Sequence, residues 1–284
     1  MRILVLVYAT TLLGQPDAAT VMSQAAANVE KAADARKQYV YQQSVRSSLT
    51  RISGQRERRE RREYSVIPNE TRTDKKLVSF QGEYRKGKQM LAYTEPGFRT
   101  KGGDIDGELI EELTRGLIDD KDSRDGIPRS LFPLSSRELA FYRFAMNGET
   151  VLNGRRTYRI TFEPLKKGHC IHIGGDESND CEPTAWKGET WIDAEDLQPA
   201  RIITELAFRI PWGVRVFLGT NVQQTGFSIT YHRAGENVWF RATYGTEFRL
   251  NVLWGYRRTI ALSMVSSGFQ KTSASSTIEY DLPK

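Results

Sequence analysis

Histidine and cysteine are nearly missing from this chain, with three of the one and two of the other in 284 residues. Chemistry built on those side chains therefore has few places to stand. His169 and His172 lie beside Cys170, and His232 sits alone in an alternating segment, where a strand histidine is ordinarily structural. No H-E-x-x-H helix, G-x-S-x-G elbow, phosphate-cradling glycine loop or dinucleotide fingerprint occurs. Asp104-Ile105-Asp106-Gly107 resembles the start of a calcium loop, but its glycine arrives two positions early and no glutamate stands at the twelfth position, so a tight turn is expected. The carboxylate pairs Asp193 with Asp196 and Glu111 with Glu112 read as surface charge. No catalytic set, cofactor or metal site is expected, which favours binding over enzymology.

Long hydrophobic runs are equally scarce. Only Ile3 to Gly14 is continuously apolar, and it falls short of the roughly 20 residues that a membrane-spanning helix needs. Behind Met1 and Arg2, and ahead of Ala18 and Ala19, it has the profile of an export signal over residues 1–19, although Asp17 stands where a cleavage site prefers a small residue. Leu12-Leu13-Gly14 resembles a lipoprotein processing site, yet Gln15 occupies the place of the lipidated cysteine, so no acyl anchor is expected. A periplasmic chain spanning 20–284 follows, long enough for one large β-rich domain or two small ones, with peripheral rather than integral membrane association and a monomeric state expected.

Charged residues make up 27% of the chain, and the mean hydropathy is -0.52, values that exclude an integral helical membrane protein. The net charge of +6 survives signal removal because Arg2 and Asp17 cancel, and it favours anionic partners. Cys170 and Cys181 flank a short polar stretch. A disulfide there would contribute on the order of 3 kcal/mol in an oxidising compartment. Two unpaired thiols are one rival reading, and a metal site formed with His169, His172, Asp176 and Asp180 is another, though it lacks the paired spacing of zinc ligands.

Apolar residues at Met22, Ala25, Ala26, Val29, Ala32 and Ala33 predict an amphipathic helix over Val21 to Arg36, after which Tyr39, Tyr41, Gln43 and Val45 switch to the period of a strand. Leu109, Ile110, Leu113 and Leu117 predict a second helix over Asp106 to Leu117, inside a long connection of about 95–137, where it can act as a lid. Arg56, Arg58, Arg59, Arg61 and Arg62 alternate with glutamates. They read as a solvated edge strand or exposed helical turn, or else as a docking patch for a lipid headgroup or an acidic envelope partner. Nucleic acid is not expected, because no aromatic interrupts the basic run to stack on bases. Asn153-Gly154 predicts a two-residue hairpin turn, and the chain beyond it reads as an antiparallel meander. Phe248, Leu250, Val252 and Trp254 alternate with Arg249 and Asn251, which gives a sheet with one dry face.

Three segments carry a family likeness: Glu63 to Pro68 with Leu77 to Gly82; Leu152 to Pro164; and Gly188 to Asp193 with Pro199 and Arg201. With the signal and the alanine-rich first helix, the chain resembles the outer-membrane lipoprotein-sorting protein superfamily, the LolA/LolB-like and RseB-like proteins. That resemblance implies a mainly β (α+β) fold, a strongly curved antiparallel sheet of about ten or eleven strands that forms an incomplete β-barrel with helices over its concave face. It implies a periplasmic carrier for a lipid or acylated protein, or a sensor module of the same fold. The expected apolar cavity is lined by Tyr158, Ile160, Phe162, Ile202, Leu206, Phe208, Phe248, Leu250, Val252, Trp254, Ile260, Leu262 and Met264, with Trp191 and Trp212 at its rim. The cysteine-bearing loop at about 165–185, the arginine run and the long middle connection depart from the well-studied carriers.

Overall fold

The computed structural model describes residues 16–68, 73–118, 134–166, 186–207, 220–223, 226–252 and 255–272. Its strands are β1 (Tyr39–Thr50), β2 (Arg56–Pro68), β3 (Thr73–Lys86), β4 (Gln89–Tyr93), β5 (Tyr142–Leu152), β6 (Arg155–Pro164), β7 (Trp186–Asp193), β8 (Pro199–Leu206), β9 (Thr220–Gln223), β10 (Phe227–Gly235), β11 (Val238–Val252) and β12 (Arg257–Lys271). Helix α1 (Ala18–Arg36) precedes them, and α2 (Ile105–Ile118) lies between β4 and β5. All neighbouring strands pair antiparallel in the order β4-β3-β2-β1-β12-β11-β10-β8-β7-β6-β5, with β9 added beside the second half of β11. The sheet does not close on itself, and both helices pack on it, as an incomplete barrel requires.

The N-terminal strand lies in the interior of this open sheet, joining its two halves. β1 pairs with β2 on one side and with β12 on the other, so the first and last described strands lie side by side. Along β1 the residues Tyr39, Tyr41, Gln43, Val45, Ser47 and Leu49 are all buried and alternate with more exposed ones, which defines the inner face. Helix α1 lies on that face against β5, β7 and β11. Its buried stripe of Val21, Met22, Ala25, Ala26 and Val29 has two alanines at its centre, where short side chains let the backbone approach the sheet. Each larger side chain buried there contributes about 1.5–3 kcal/mol.

Helix α1 begins earlier than its apolar spacing predicts. Asp17 caps it, accepting hydrogen bonds from Thr20 N at 2.9 Å and Thr20 Oγ1 at 3.0 Å, and Ala18 is buried in the core. The residue that disfavours cleavage after Ala19 is thus an N-cap. The Asn153-Gly154 turn forms as expected, with φ of 52° and 79° joining Leu152 to Arg155. Val238 to Val252 is one continuous strand.

The arginine run is neither an edge nor a helical turn. It lies in β2, paired on both sides by β1 and β3. Asp193 and Asp196 also depart from expectation, since both side chains are buried at the β7–β8 corner. Asp193 takes a two-pronged contact from Arg155 and accepts the backbone N–H groups of Glu195 and Asp196. Asp196 accepts Trp239 Nε1 and pairs with Arg233, while Asn28 of α1 donates to the carbonyls of Asp196 and Leu197. This corner ties α1 to the sheet. Cys170, Cys181, His169 and His172 lie outside the described residues.

Candidate functional site: the inner face and its covering helices

The inner face carries two apolar clusters. The larger gathers α1 with Tyr39, Tyr41, Val45, Tyr64, Val66, Ile160, Phe162, Ile192, Ile202, Ile229, Phe240 and Met264. The smaller joins Leu49, Ile260 and Leu262 of β1 and β12 to Ile110 of α2, with Leu109, Leu113, Phe248 and Leu250 packed around it. Helix α2 spans the two, because its last residues Leu117 and Ile118 belong to the larger cluster. Between them on β1 and α2 sit three buried polar groups, Gln43, Ser47 and Thr114, whose side-chain oxygens lack a hydrogen-bond partner.

The expected lining residues divide between these clusters. Ile160, Phe162, Ile202 and Met264 are fully buried with α1, and Tyr158 is half-buried against them. Ile260 and Leu262 are buried with α2, beside half-buried Phe248 and Leu250. Leu206 is half-buried and joins neither cluster. Phe208, Trp212 and Trp254 lie outside the described residues, as does the side chain of Val252. Trp191 is partly buried against the larger cluster, with the Arg201 guanidinium 5.3 Å from its ring centroid.

Charged groups hold α2 over its apolar strip. Arg58 spends all three nitrogens beneath the helix: Nε on Tyr93 OH at 2.9 Å, Nη1 on Asp104 at 2.7 Å and Nη2 on the Phe98 carbonyl at 2.7 Å. Its guanidinium also lies 4.8 Å from the Tyr93 ring centroid. Asp104 caps the helix by accepting Gly107 N at 2.8 Å. Burial pushes the Asp104 carboxyl up, but hydrogen bonds from Thr100 N, Arg58 and Gly107 N outweigh it and hold the carboxyl below its usual range. Arg62 bridges Glu60 of its own strand to Glu111 of α2. Asp106 accepts a two-pronged contact from Arg258 at 2.9 and 3.0 Å and the Tyr256 hydroxyl at 2.6 Å. At the far end, Lys75 Nζ donates to the Ile118 carbonyl at 2.7 Å, where the helix dipole favours a cation.

The expectation of a five-arginine docking patch is corrected here. Arg58 and Arg62 are 1% and 3% exposed and face inward with Glu60, because residues two apart on a strand share a face. Only Arg56, Arg59 and Arg61 remain on the outer surface. Glu111, read as surface charge, is one of the inward partners. The sequence does carry the signal: counting back by twos from the apolar Tyr64 and Val66 leads to Arg62, Glu60 and Arg58, an alternation of charge on one buried face.

No family model matches this chain, and no curated protein does either. Among solved structures it is similar to a DUF1329 family protein from Desulfovibrio piger, at 12% identity and a TM-score of 0.39 over 92% of this chain and 96% of that one. It is similar to an outer membrane lipoprotein-sorting protein domain from Vibrio parahaemolyticus, at 11% identity and 0.34 over 90% and 95%. A LolA superfamily protein from Nitrosomonas europaea matches at 11% and 0.31 over 91% and 94%. At such identities and scores the likeness assigns neither ligand nor role.

Proposed function

We propose that this protein binds a lipid, or the acyl chains of a lipidated protein, on the inner face of its open barrel, with α2 as the movable cover. The observation that carries this reading is the apolar strip of Leu49, Phe248, Leu250, Ile260 and Leu262, over which α2 lays Leu109, Ile110 and Leu113. Among the described residues, no other helix packs on this strip. A curved sheet cannot fill its own concavity, and a single short helix does so here through contacts an acyl chain could replace at about 0.8 kcal/mol per buried methylene. The cover is fastened at its margins by ion pairs and hydrogen bonds, and such polar contacts can be exchanged for water when the helix lifts. Binding of this kind needs no catalytic residue. The reading includes export to the periplasm, for which the apolar stretch over 3–14 is the support; no described helix is long and apolar enough to cross a membrane.

A second reading is favoured by the larger cluster, where α1 already occupies the face formed by Ile160, Phe162, Ile202 and Met264. In that reading the interior is ordinary core, and the protein acts as an envelope sensor or interaction module. Native mass spectrometry with lipid extraction of the protein purified from its own host separates the two. Acyl species that co-purify in stoichiometric amount support the carrier, and a lipid-free protein that also fails to take up fatty acid in solution contradicts it.

A further inference from the structure

The face of the sheet turned away from the helices carries a groove of about 500 Å³ across β12, β1, β2 and β3. Strand registry explains its shape. One row of cross-strand neighbours runs Ser263, Arg46, Arg61, Gln81 and the next runs Ala261, Ser48, Arg59, Glu83. Short side chains from β1 and β12 make the floor, and Arg46, Arg56, Arg59 and Arg61 stand around it. Arg59 is satisfied by a two-pronged contact with Glu83, and Arg61 by Glu63 at 2.6 Å. Arg46 is exposed and has no acidic partner among the described residues, yet it lies directly opposite Arg61. Like charges facing one another across two strands destabilise the pair, and an anion between them reverses the sign. On the same face, two residues beyond Ser263, Val265 is 44% exposed, placing an apolar side chain at the lip of a basic groove.

We infer that this outer groove is a docking site for the phosphate headgroup of an anionic phospholipid, with Arg46 and Arg61 straddling the phosphate and Ser48 and Ser263 offering hydroxyls beneath it. The groove is open and shallow-floored rather than enclosed, and an apolar neighbour borders it. That arrangement suits a headgroup at the surface of a bilayer, and the net charge of +6 adds a long-range attraction to such a surface. Guanidinium is the group suited to this task, since its planar fork matches phosphate oxygens two at a time. The arginines and serines of the site lie on the face opposite the acyl strip; Leu262 borders both, and since the test leaves Leu262 unchanged, either reading can fail without the other.

The test is sedimentation with vesicles of phosphatidylglycerol and phosphatidylcholine in equal parts, against phosphatidylcholine alone, at about 0.15 M salt, where charges beyond about 8 Å are screened. The full chain is compared with Arg46→Gln/Arg61→Gln and with Arg143→Gln/Arg156→Gln, which removes two exposed arginines from β5 and β6 at the other edge of the sheet. Binding to the anionic vesicles that falls roughly tenfold or more in the first variant, and stays near the parent value in the second, supports the site. Equal loss in both means diffuse attraction and overturns it. Calorimetric binding of inorganic pyrophosphate that is lost in the first variant, without any vesicle binding, assigns the groove to a soluble phosphate ligand and overturns the lipid source. Absence of both kinds of binding in the parent chain overturns it as well.

Discussion

Arg58 Nη1 lies 2.7 Å from Asp104 Oδ2, in a pair whose side chains are 1% and 9% exposed, and this contact joins the second strand of the sheet to the cap of α2. The charge pair belongs to a network that runs through Tyr93 and Glu60 to Arg62 and Glu111. Tyr93 receives Arg58 Nε and donates its own hydroxyl to Glu60 at 2.7 Å, which links both strand charges to one phenol beneath the helix start. Burial pushes the Tyr93 hydroxyl far above its ordinary value, and it stays a protonated donor.

Replacing Arg58 with Leu leaves Asp104, Tyr93 and the Phe98 carbonyl without their donor. Urea unfolding is expected to show a loss of about 3 kcal/mol, as for one half of a buried ion pair. Because the Asp104 carboxyl is held below its unfolded value, its contribution is present above that value and is lost as pH falls through the folded one. The difference between Arg58→Leu and the parent chain should therefore narrow below about pH 4.

Gly107→Ala gives a sign that propensity alone gets wrong. An alanine in an exposed helix favours folding by about 0.8–1 kcal/mol over glycine. Here the added Cβ would lie 2.3 Å from Arg58 Nη1 and 2.7 Å from Asp104 Oδ2. Hydrogen exchange of the α2 amides is expected to speed up, with the exchange of β6 and β7 unchanged. Slower exchange in α2 would contradict the tight approach.

Glu138 supplies a pH dependence of opposite direction. Burial pushes its carboxyl up to about 7, and its Oε2 has no hydrogen-bond partner. A group raised in the folded state contributes stability that is complete below its unfolded value and lost as pH rises through the folded value. Thermal unfolding of Glu138→Gln against the parent chain should thus show little difference at about pH 4.5 and a gain on the order of 1 kcal/mol at about pH 8.

Leu250 is half-buried at the margin of the smaller cluster, where a charge can be placed without entering the main core. Leu250→Asp is expected to lower fatty-acid uptake by tenfold or more, since an ionised carboxylate beside an acyl chain is strongly disfavoured. Circular dichroism should keep the β signature. Unchanged uptake by the folded variant would remove Leu250 from the binding strip.

The elements with strict periodicity were legible from residues alone. Helix α2 falls within one residue at each end of its predicted span because Leu109, Ile110, Leu113 and Leu117 all face the sheet. The Asn153-Gly154 hairpin follows from two positive φ angles that few other residue pairs tolerate. What was misread is the charged half of the inner face. Arginine and glutamate at consecutive positions look like solvent-facing charge, and only the phase of β2, set by Tyr64 and Val66, turns Arg58, Glu60 and Arg62 inward. The groove beside Arg46 was hidden for a related reason. Arg46 and Arg61 are remote along the chain and become neighbours only through the β1–β2 registry.

A photoactivatable fatty acid, bound, cross-linked and mapped by peptide mass spectrometry, tests the acyl-binding account most directly. The expected labels fall on Leu49, Phe248, Leu250, Ile260 and Leu262, with Leu109 and Leu113 of the displaced cover beside them. Labels confined to the outer face, or labelling no greater than that of a heat-unfolded sample, would contradict it.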